Sequence, residues 1–391
     1  DAAPQPWGGS TTGPTTADLS QGLLHCIMFN ARSLKNKLPD FYEIIYNNGY
    51  NCIFITETWL NDNLPNSLLD PENMFNVYRD DRIDRIGGGV CCLIAKNFRV
   101  AQLDVDKACN SNVVAFDLLV DHTSYRFIVI YRPPLYNAKG FEDALKLHSI
   151  IEHQVSGSPG PVYVIGDLNC RGIDWTYITQ SANNVERVIG EALRNNGFAQ
   201  CVPHVTIVSS LLDIVCTNEP LTLCSIDVLP PFALSDHSSI AFDITLPCIA
   251  NNSENDNCSE YTRYLWTKAN YTAMADYLAS VRWADIFTVN FTADDMWNAF
   301  QVKFDEAIEL FVPSVRSKRK PNSVKRRYPR HIRQLFGQKL AIWRRLKADR
   351  NNVKIKVAYN KVAAQCRLAV RRFEIYIENK VISDDNIGSF Y

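Results

Sequence analysis

The sequence has no apolar run approaching the roughly 18 residues that a membrane-spanning helix requires, so we expect no transmembrane segment. Residues 1–20 have neither a basic start nor an apolar core, and a secretory signal peptide is therefore not predicted. The 12 cysteines include no Cys-x-x-Cys pair, which argues against a structural zinc site and a disulfide framework. Several cysteines lie in apolar, strand-like stretches, so we expect buried reduced thiols and an intracellular, reducing compartment. An initiator Met is also lacking, and we expect a fragment or a processed product.

Charge of one sign is concentrated near one end of the chain. The net charge is −1, yet residues 316–372 contain 20 Lys and Arg against a single acid, Asp349. That stretch carries +19, so the remainder of the chain carries −20. An acidic body with a strongly basic region indicates a polyanionic partner, and nucleic acid fits this distribution.

Short apolar segments alternate with turns from residue 23 to about residue 247. Nine segments rich in Val, Ile, Phe and Tyr are predicted as strands: 23–30, 51–56, 89–94, 112–120, 125–131, 162–166, 212–216, 221–229 and 238–245. Helices are predicted over 38–48, 141–153 and 184–195. Many strands with few helices are typical of two packed sheets with helices outside them. Residues 1–22, rich in Pro, Gly, Ser and Thr, are expected to be disordered.

The pattern changes after residue 247. A polar, Asn-rich segment over 249–259 is predicted as a linker. Helical spacing follows over 271–281, 293–311, 330–346 and 353–380. We therefore expect a disordered segment 1–22, a domain over 23–247, and a helical basic extension over 248–391.

Polar residues lie at or beside the ends of apolar strands, where packing alone does not require them. Each one has an ordinary explanation, because a turn residue can bond its own backbone and a strand-end Glu can be solvated. Six such strand ends together favour metal-assisted phosphodiester hydrolysis. Carboxylate oxygens suit Mg²⁺ or Mn²⁺, and a His oriented by a carboxylate can contact phosphate or move a proton. The residues are Asn30, Glu57, Tyr131, Arg132, Asp167, Asn169, Asp213, Asp236 and His237.

The order of these residues resembles the endonuclease/exonuclease/phosphatase family, which includes DNase I and the apurinic-site endonucleases. The matching segments are Phe-Asn-Ala-Arg-Ser-Leu at 29–34, Thr-Glu-Thr-Trp-Leu at 56–60, Tyr-Arg-Pro-Pro at 131–134, Gly-Asp-Leu-Asn at 166–169 and Leu-Ser-Asp-His at 234–237. Their forms, with Asp174-Trp175 nearby, look most like the endonuclease of LINE-type (non-LTR) retrotransposons over about 23–247. The resemblance implies a DNase I-like four-layer α/β-sandwich followed by a mostly helical basic extension. The stretch containing Trp283 and Trp297 is similar to the connector that joins such an endonuclease to a reverse transcriptase.

The resemblance also implies a role for each matched residue. Glu57 is the main ligand of Mg²⁺, or of Mn²⁺ in its place, and Asn30 and Asp236 assist it. Asp167 orients or deprotonates the attacking water.

The remaining matched residues are implied to act on the phosphate. Asn169 holds the water and the phosphate, and Tyr131 donates to a non-bridging oxygen. His237 contacts the scissile phosphate and is held in place by Asp213.

The chain departs from the family pattern at three positions. Arg32 stands where some relatives carry a second acid, and Thr206-Ile207 stands where many carry Thr-Arg. The missing Arg implies a weaker grip on DNA or a different target preference; Arg32 and Thr206 remain candidates for contacting nucleic acid. Asn112 replaces a frequent Glu, and no role is assigned to it. The glycine run 87–89 lacks a following Lys-Ser/Thr, so a tight turn is predicted rather than a phosphate-binding loop.

The basic region has two interpretations. One is a helix with a solvated charged face, and the other is binding to DNA or RNA phosphates, which the interleaved aromatic residues favour. Candidate contacts are Arg319, Arg326 and Arg327. The clusters around them also suit nuclear import, and we expect the protein to act in the nucleus.

The sequence therefore leads to the hypothesis of a Mg-dependent endonuclease. It would nick one strand of target DNA and leave a 3′-hydroxyl for target-primed reverse transcription by a reverse transcriptase of the same polyprotein. No membrane partner is expected. Two alternatives stay open: a repair-type or small-substrate phosphodiesterase of the same fold, and a catalytically inactive nucleic-acid-binding module.

Overall fold

The structure is a computed structural model that describes residues 22–82, 87–106, 109–120, 122–176, 178, 183–203, 210–246, 260–264, 268–287, 292–318 and 328–383. Its strands are β1 Leu23–Asn30, β2 Cys52–Thr56, β3 Phe75–Asp80, β4 Val90–Ala95, β5 Arg99–Leu103, β6 Asn112–Val120, β7 Thr123–Tyr131, β8 Val162–Asp167, β9 Ala199–Gln200, β10 Asp213–Thr217, β11 Leu223–Leu229, β12 Ser239–Thr245, β13 Glu260–Tyr264 and β14 Ser314–Lys318. Its helices are α1 Leu38–Asn47, α2 Ala138–Ser156, α3 Asn184–Asn195, α4 Tyr271–Ser280, α5 Trp283–Ile286, α6 Ala293–Phe311, α7 Arg330–Ala348 and α8 Val353–Ser383.

Two six-stranded sheets form the body of the protein. The first sheet has the order β11-β12-β1-β2-β4-β3, and the second has the order β5-β6-β7-β8-β10-β9. Each sheet contains one parallel pair, β1 with β2 and β7 with β8, among antiparallel neighbours. Both sheets are therefore mixed.

Apolar side chains fill three layers. Between the sheets, rings from both sides stack in series, with centroid distances of 5.5 Å for Phe54–Phe127 and 5.1 Å for Phe127–Tyr163. The outer face of the second sheet packs on α2 and α3. The outer face of the first sheet packs on α1, α7 and α8. The predicted four-layer α/β-sandwich is confirmed, and burial of each core Leu, Ile or Phe contributes about 1.5–3 kcal/mol.

Two basic helices, α7 and α8, complete the outer layer on the first sheet. Within this basic sequence, Ile332 and Phe336 of α7 and Cys366 of α8 are buried against that sheet and α1. Polar contacts surround the apolar ones: Lys339 Nζ lies 2.6 Å from Glu43 Oε1 of α1.

The compact units consequently differ from the expected boundary at residue 248. Residues 1–249 and 324–391 fall into one unit, and residues 250–323 form a second. The difference arises because an apolar stripe lies inside the basic sequence, where net charge alone suggests a solvated helix. The predicted linker 249–259 and nearly all of the predicted disordered segment 1–22 lie outside the described residues.

The second unit has its own small core. Strands β13 and β14 pair antiparallel, and Met274 of α4 packs against Ala307 and Val312 at the end of α6. Helix α6 begins with a capping box in which Thr292 and Asp295 satisfy each other's backbone N–H groups.

Sequence patterns did not predict β3, β5, β9, β13, β14 or α5. Strand β5 lies at a sheet edge and is largely exposed, so its sequence shows little of the apolar pattern that marks a core strand. Among the described residues, every helix is too short or too polar to cross a bilayer.

Candidate active site

The polar residues lie at one end of the core between the sheets. In a strand, alternate side chains point to the same face, so the residue two positions beyond a buried inward-facing residue also points inward. Met28, Phe54 and Ile165 belong to the core between the sheets. Two positions further on, Asn30, Thr56 and Asp167 replace the apolar pattern with polar side chains. The same end of each central strand therefore delivers polar groups into the space between the sheets.

Strand register aligns these groups across the second sheet. Tyr131 of β7 is the partner of Asp167 of β8, and Asp167 is the partner of Asp213 of β10. On the other side, Asn112 of β6 is the partner of Tyr131. Four polar residues therefore form one row across four adjacent strands.

Asn30 and Asp167 join the two sheets at this end. Asn30 Nδ2 donates to Asp167 Oδ2 at 2.9 Å, and both residues are almost completely buried. Asn30 Oδ1 accepts from the backbone N–H of Arg32 at 3.1 Å. These bonds fix the amide orientation, so that its NH₂ group faces the carboxylate.

The loop after β8 holds the second oxygen of Asp167. Asn169, in the left-handed region with φ 50°, donates its backbone N–H to Asp167 Oδ1 at 3.1 Å. Gly166, with φ 144°, precedes Asp167, and a Cβ there would lie 1.8 Å from the carbonyl oxygen of Ile130. Glycine is therefore required for the close approach of β7 and β8 immediately before the carboxylate.

Burial and the charges around it affect the proton affinity of Asp167. Burial raises the pKa of Asp167 well above its usual range, and the neighbouring charge of Asp213 raises it further. His237 and the backbone N–H of Asn169 act in the opposite direction.

His237 is oriented by Asp213. Its Nδ1 lies 2.7 Å from Asp213 Oδ2, and both residues are buried. Burial alone would lower the pKa of His237, but the hydrogen bond and charge of Asp213, with Asp167 and Asp236 nearby, raise it to about 9. With Nδ1 on Asp213, Nε2 is the ring nitrogen that can meet a substrate.

Glu57 follows β2 in a left-handed backbone conformation with φ 49°. It is partly exposed and bonds the phenol of Tyr131. Burial raises the pKa of Tyr131, and Glu57 and Asp167 raise it further, so the phenol keeps its proton and can donate it. Arg82 opposes this shift, since its guanidinium carbon lies 5.5 Å from the centroid of the Tyr131 ring.

Asp236 lies at the exposed rim of the site. Its Oδ1 is 2.8 Å from Arg32 Nη1 and 3.9 Å from His237 Nε2. Both members of the Arg32–Asp236 pair are about half exposed. Arg32 therefore pairs with one of the carboxylates expected to bind a cation.

Among the described residues, one group of acids and histidine has ligand atoms close enough to share a cation. Asp167, Asp213 and His237 each offer an atom within 4.8 Å of the others. This group differs from the predicted ligands Glu57, Asn30 and Asp236. The two sets adjoin through the bond from Asn30 to Asp167.

Four predicted nucleic-acid contacts, Thr206, Arg319, Arg326 and Arg327, lie outside the described residues. The remaining predicted site residues, Asn30, Arg32, Glu57, Tyr131, Asp167, Asn169, Asp213, Asp236 and His237, lie at the same end of the sandwich or in the turns that follow its strands.

Sequence reasoning missed Arg132 as an organising residue. Its buried guanidinium donates to the carbonyl oxygens of Leu168 at 2.6 Å, Asn169 at 2.9 Å and Leu135 at 3.3 Å. The Asn169 side chain in turn donates to the Arg132 carbonyl at 2.8 Å. The signal available was the position of a charged residue directly after a buried strand.

Asn112 also has a role that the sequence did not reveal. Its Oδ1 accepts from the backbone N–H of Gly89 at 3.0 Å, and its Nδ2 donates to the Asp80 carbonyl at 3.2 Å. It therefore ties the glycine run to the row of site residues. A single polar residue at the start of a strand gave no indication of these long-range bonds.

The two mixed sheets and their outer helices form an α/β-sandwich of the DNase I-like kind, with the polar cluster at the ends of its central strands. Residues 125–241, which include Tyr131, Asp167 and His237, match the family model described as endonuclease-reverse transcriptase. Over this range the chain therefore resembles the family that its motifs predicted. No curated protein matches the chain by sequence.

Several solved structures are similar to part of the chain. The endonuclease domain of TRAS1, a telomere-specific non-LTR retrotransposon, is 14% identical, with a TM-score of 0.45, over 57% of this chain and 99% of its own. The 3′ phosphatase NExo from Neisseria is 13% identical, with a TM-score of 0.46, over 56% of this chain and 99% of its own. An AP endonuclease from Archaeoglobus fulgidus is 12% identical, with a TM-score of 0.43, over 56% of this chain and 98% of its own.

Proposed function

We propose that the protein is a metal-dependent DNA endonuclease that nicks one strand and leaves a 3′-hydroxyl from which a reverse transcriptase primes. The observation that carries the proposal is the convergence of two hydrogen-bonded pairs, Asn30–Asp167 and Asp213–His237, at one end of the core. A carboxylate fixed by two donors beside an oriented imidazole suits attack of water on a phosphodiester.

The residues present fit a hard divalent cation. Glu57, Asn30 and Asp236 offer carboxylate and amide oxygens, the donors that Mg²⁺ and Mn²⁺ prefer. Thr56 adds a buried hydroxyl oxygen that has no hydrogen-bond partner among the described residues and is the register partner of Asn30. A bound ion would supply positive charge where negative charge develops on the phosphate and the leaving oxygen.

Asp167 orients the attacking water in this proposal and accepts its proton. The bonds from Asn30 Nδ2 and from the Asn169 N–H fix its two oxygens before substrate arrives. Preorganisation of this kind removes part of the entropic barrier to attack.

Tyr131, Asn169 and His237 would contact the phosphate. The phenol of Tyr131 keeps its proton and can donate to a non-bridging oxygen. His237 Nε2 can also donate a hydrogen bond to a non-bridging oxygen, since Asp213 fixes the ring. Donors placed before the reaction stabilise charge at the transition state more than mobile water does.

The basic helices supply a second contact with nucleic acid in this proposal. Exposed cations of α7 and α8, such as Arg344, Lys354, Lys361 and Arg371, face solvent while the opposite side of each helix packs on the body. Their contacts with phosphates of DNA or RNA would be independent of sequence and sensitive to salt. We further propose that the catalytic domain comprises residues 23–247 together with α7 and α8, and that it acts in the nucleus.

The chemical group left at the 3′ end of the nick tests whether the product can prime DNA synthesis. After treatment of supercoiled plasmid with the protein and Mg²⁺, a DNA polymerase should add labelled nucleotide directly to the nicked product. Extension only after a phosphatase has removed a 3′-phosphate would contradict the proposal. A commercial nicking enzyme that leaves a 3′-hydroxyl serves as the positive control.

A further inference from the structure

The turn after β2 exposes one large aromatic side chain beside Glu57. Thr58 and Leu60 are buried, whereas Trp59 between them is 40% exposed. Trp175, in the loop after β8, is by contrast buried in the core. About two fifths of Trp59 is therefore open to solvent, and the rest of the residue is covered by its neighbours.

The backbone of this turn is strained at Trp59. Its φ is 54°, in the left-handed region that a bulky L-residue rarely adopts. Such a conformation costs about 1–3 kcal/mol and persists where the surrounding structure enforces it, which is common at functional sites. Because two fifths of the residue remains exposed, burial of the indole offsets this cost only in part.

Four backbone hydrogen bonds enforce the conformation. The N–H groups of Thr58 and Trp59 donate to the carbonyl oxygens of Gly89 at 3.4 Å and Gly88 at 3.0 Å. Backbone carbonyl oxygens of the turn also accept hydrogen bonds from the segment after β1, from Ser33 N–H at 2.9 Å and from Leu34 N–H at 2.9 Å.

The glycine run makes this approach possible. A Cβ on Gly89 would lie 2.4 Å from Thr58 Oγ1, and a Cβ on Gly88 would lie 2.7 Å from the guanidinium carbon of Arg82. A Cβ on Gly87 would be in ordinary contact with Trp59 Nε1, at 3.9 Å. The three glycines also have positive φ values of 99°, 77° and 88°, which glycine adopts without strain, so they suit the surface against which the indole lies.

These contacts connect Trp59 to the catalytic residues. Arg82 lies between Gly88 and the ring of Tyr131, and Tyr131 bonds Glu57. The indole is therefore at the rim of the site, at the same end of the sandwich as the carboxylates.

We propose that Trp59 binds the DNA substrate by stacking on the base of a nucleotide that flanks the scissile phosphate. An exposed, rigidly held aromatic ring is the side chain suited to a base, because every base has a π-face and stacking requires no fixed hydrogen-bond pattern. The inference rests on the proposed nuclease function for the identity of the substrate. It adds a contact with the base, whereas the residues above contact the phosphate.

Two variants of Trp59 separate stacking from folding. Trp59→Gly removes the ring, and glycine adopts the left-handed conformation without strain, so the fold is retained. Trp59→Phe keeps an aromatic face. We expect Trp59→Gly to raise the KM for plasmid nicking about 10- to 100-fold with kcat changed less than about 3-fold, and Trp59→Phe to recover most of the loss. Trp297→Ala, at an exposed Trp of α6, is the matched control and should behave as the wild type.

Binding measured without cleavage distinguishes failure of this inference from failure of the proposed function. In EDTA, fluorescence anisotropy with a labelled 20-base-pair duplex should show the same 10- to 100-fold weakening for Trp59→Gly, in line with about 1–3 kcal/mol per stacked base. If the wild type binds the duplex but never nicks plasmid, the proposed nuclease function is contradicted and the stacking inference is not. Wild-type affinity and KM in a folded Trp59→Gly variant would overturn the stacking inference.

Discussion

Asn30 on the first sheet donates a 2.9 Å hydrogen bond from Nδ2 to Oδ2 of Asp167 on the second sheet, and both residues are almost completely buried. The bond spans the two halves of the sandwich at the end where the apolar core stops. It sets the orientation of a carboxylate that two strands and a loop also constrain. Stability and chemistry therefore depend on the same contact.

Asn30→Ala should reduce both the stability of the fold and the rate of nicking. Loss of the hydrogen bond to a buried acceptor costs about 1–3 kcal/mol, and nicking should fall at least 10-fold because the carboxyl group is no longer held. Asn218→Ala is the control, because Asn218 Oδ1 accepts a 2.9 Å bond from Val162 N–H at the opposite end of β8. Equal losses of nicking in the two variants, measured with unfolding by denaturant, would mean that Asn30 acts only through stability.

Asp213→Asn should lower kcat with little effect on KM. The amide lacks the negative charge that raises the pKa of His237 and holds its Nδ1, so the ring loses both its proton and its orientation more easily. Loss of one preorganised donor to the charge that develops in the transition state costs about 10²- to 10³-fold in kcat, and we expect a loss in that range. Asp243→Asn is the control, since Asp243 Oδ1 lies 2.7 Å from His25 Nδ1 at the other end of β1. A kcat near that of the control would contradict the role of Asp213.

Asp40 should make stability depend on pH. Burial and the neighbouring Glu43 raise the pKa of Asp40 from 3.8 to about 6. Because the pKa is higher in the folded state, ionisation of Asp40 lowers the free energy of unfolding. This destabilisation is absent below about pH 3.8 and complete above about pH 6.

Replacing this carboxylate with a neutral amide should remove that cost. We expect Asp40→Asn to exceed the wild type in free energy of unfolding by about 1–2 kcal/mol at pH 7. Urea titrations should show the difference vanishing near pH 4. Asp62→Asn, at an exposed Asp, is the control. A difference that stays constant with pH would show that Asp40 titrates normally.

Phe336→Ala should show that α7 is part of the same folding unit as the two sheets. Phe336 is buried against the first sheet and α1, and truncation of such a side chain costs about 3–5 kcal/mol. Phe304→Ala on α6 removes a partly exposed ring and should cost much less. If thermal unfolding of the Phe336 variant matches that of the wild type, α7 does not stabilise the sandwich.

Much of the fold followed from sequence patterns because the core strands are continuous apolar runs. Edge strands such as β3 and β5 were missed, since an edge strand with one exposed face needs few apolar residues. The packing of α7 on the body also escaped prediction. Its buried Ile332 and Phe336 are few among many cations, and charge count alone could not show which face was covered.

The gathering of polar side chains at one end of the core was predictable wherever such a residue ends an apolar strand, as at Asn30 and Asp167. Arg132 and Asn112 were not given roles, because their bonds join segments distant in sequence. The strain at Trp59 was equally invisible, since only the backbone geometry shows it.

The most direct measurement is the conversion of supercoiled plasmid to open circle with Mg²⁺ or with EDTA, by the wild type, His237→Ala and His25→Ala. His25 forms the matched His–Asp pair outside the site, at the same 2.7 Å distance. The account predicts nicking with Mg²⁺ by the wild type and His25→Ala, and none with EDTA or by His237→Ala. Equal nicking by His237→Ala, or no nicking by folded wild-type protein, would contradict it.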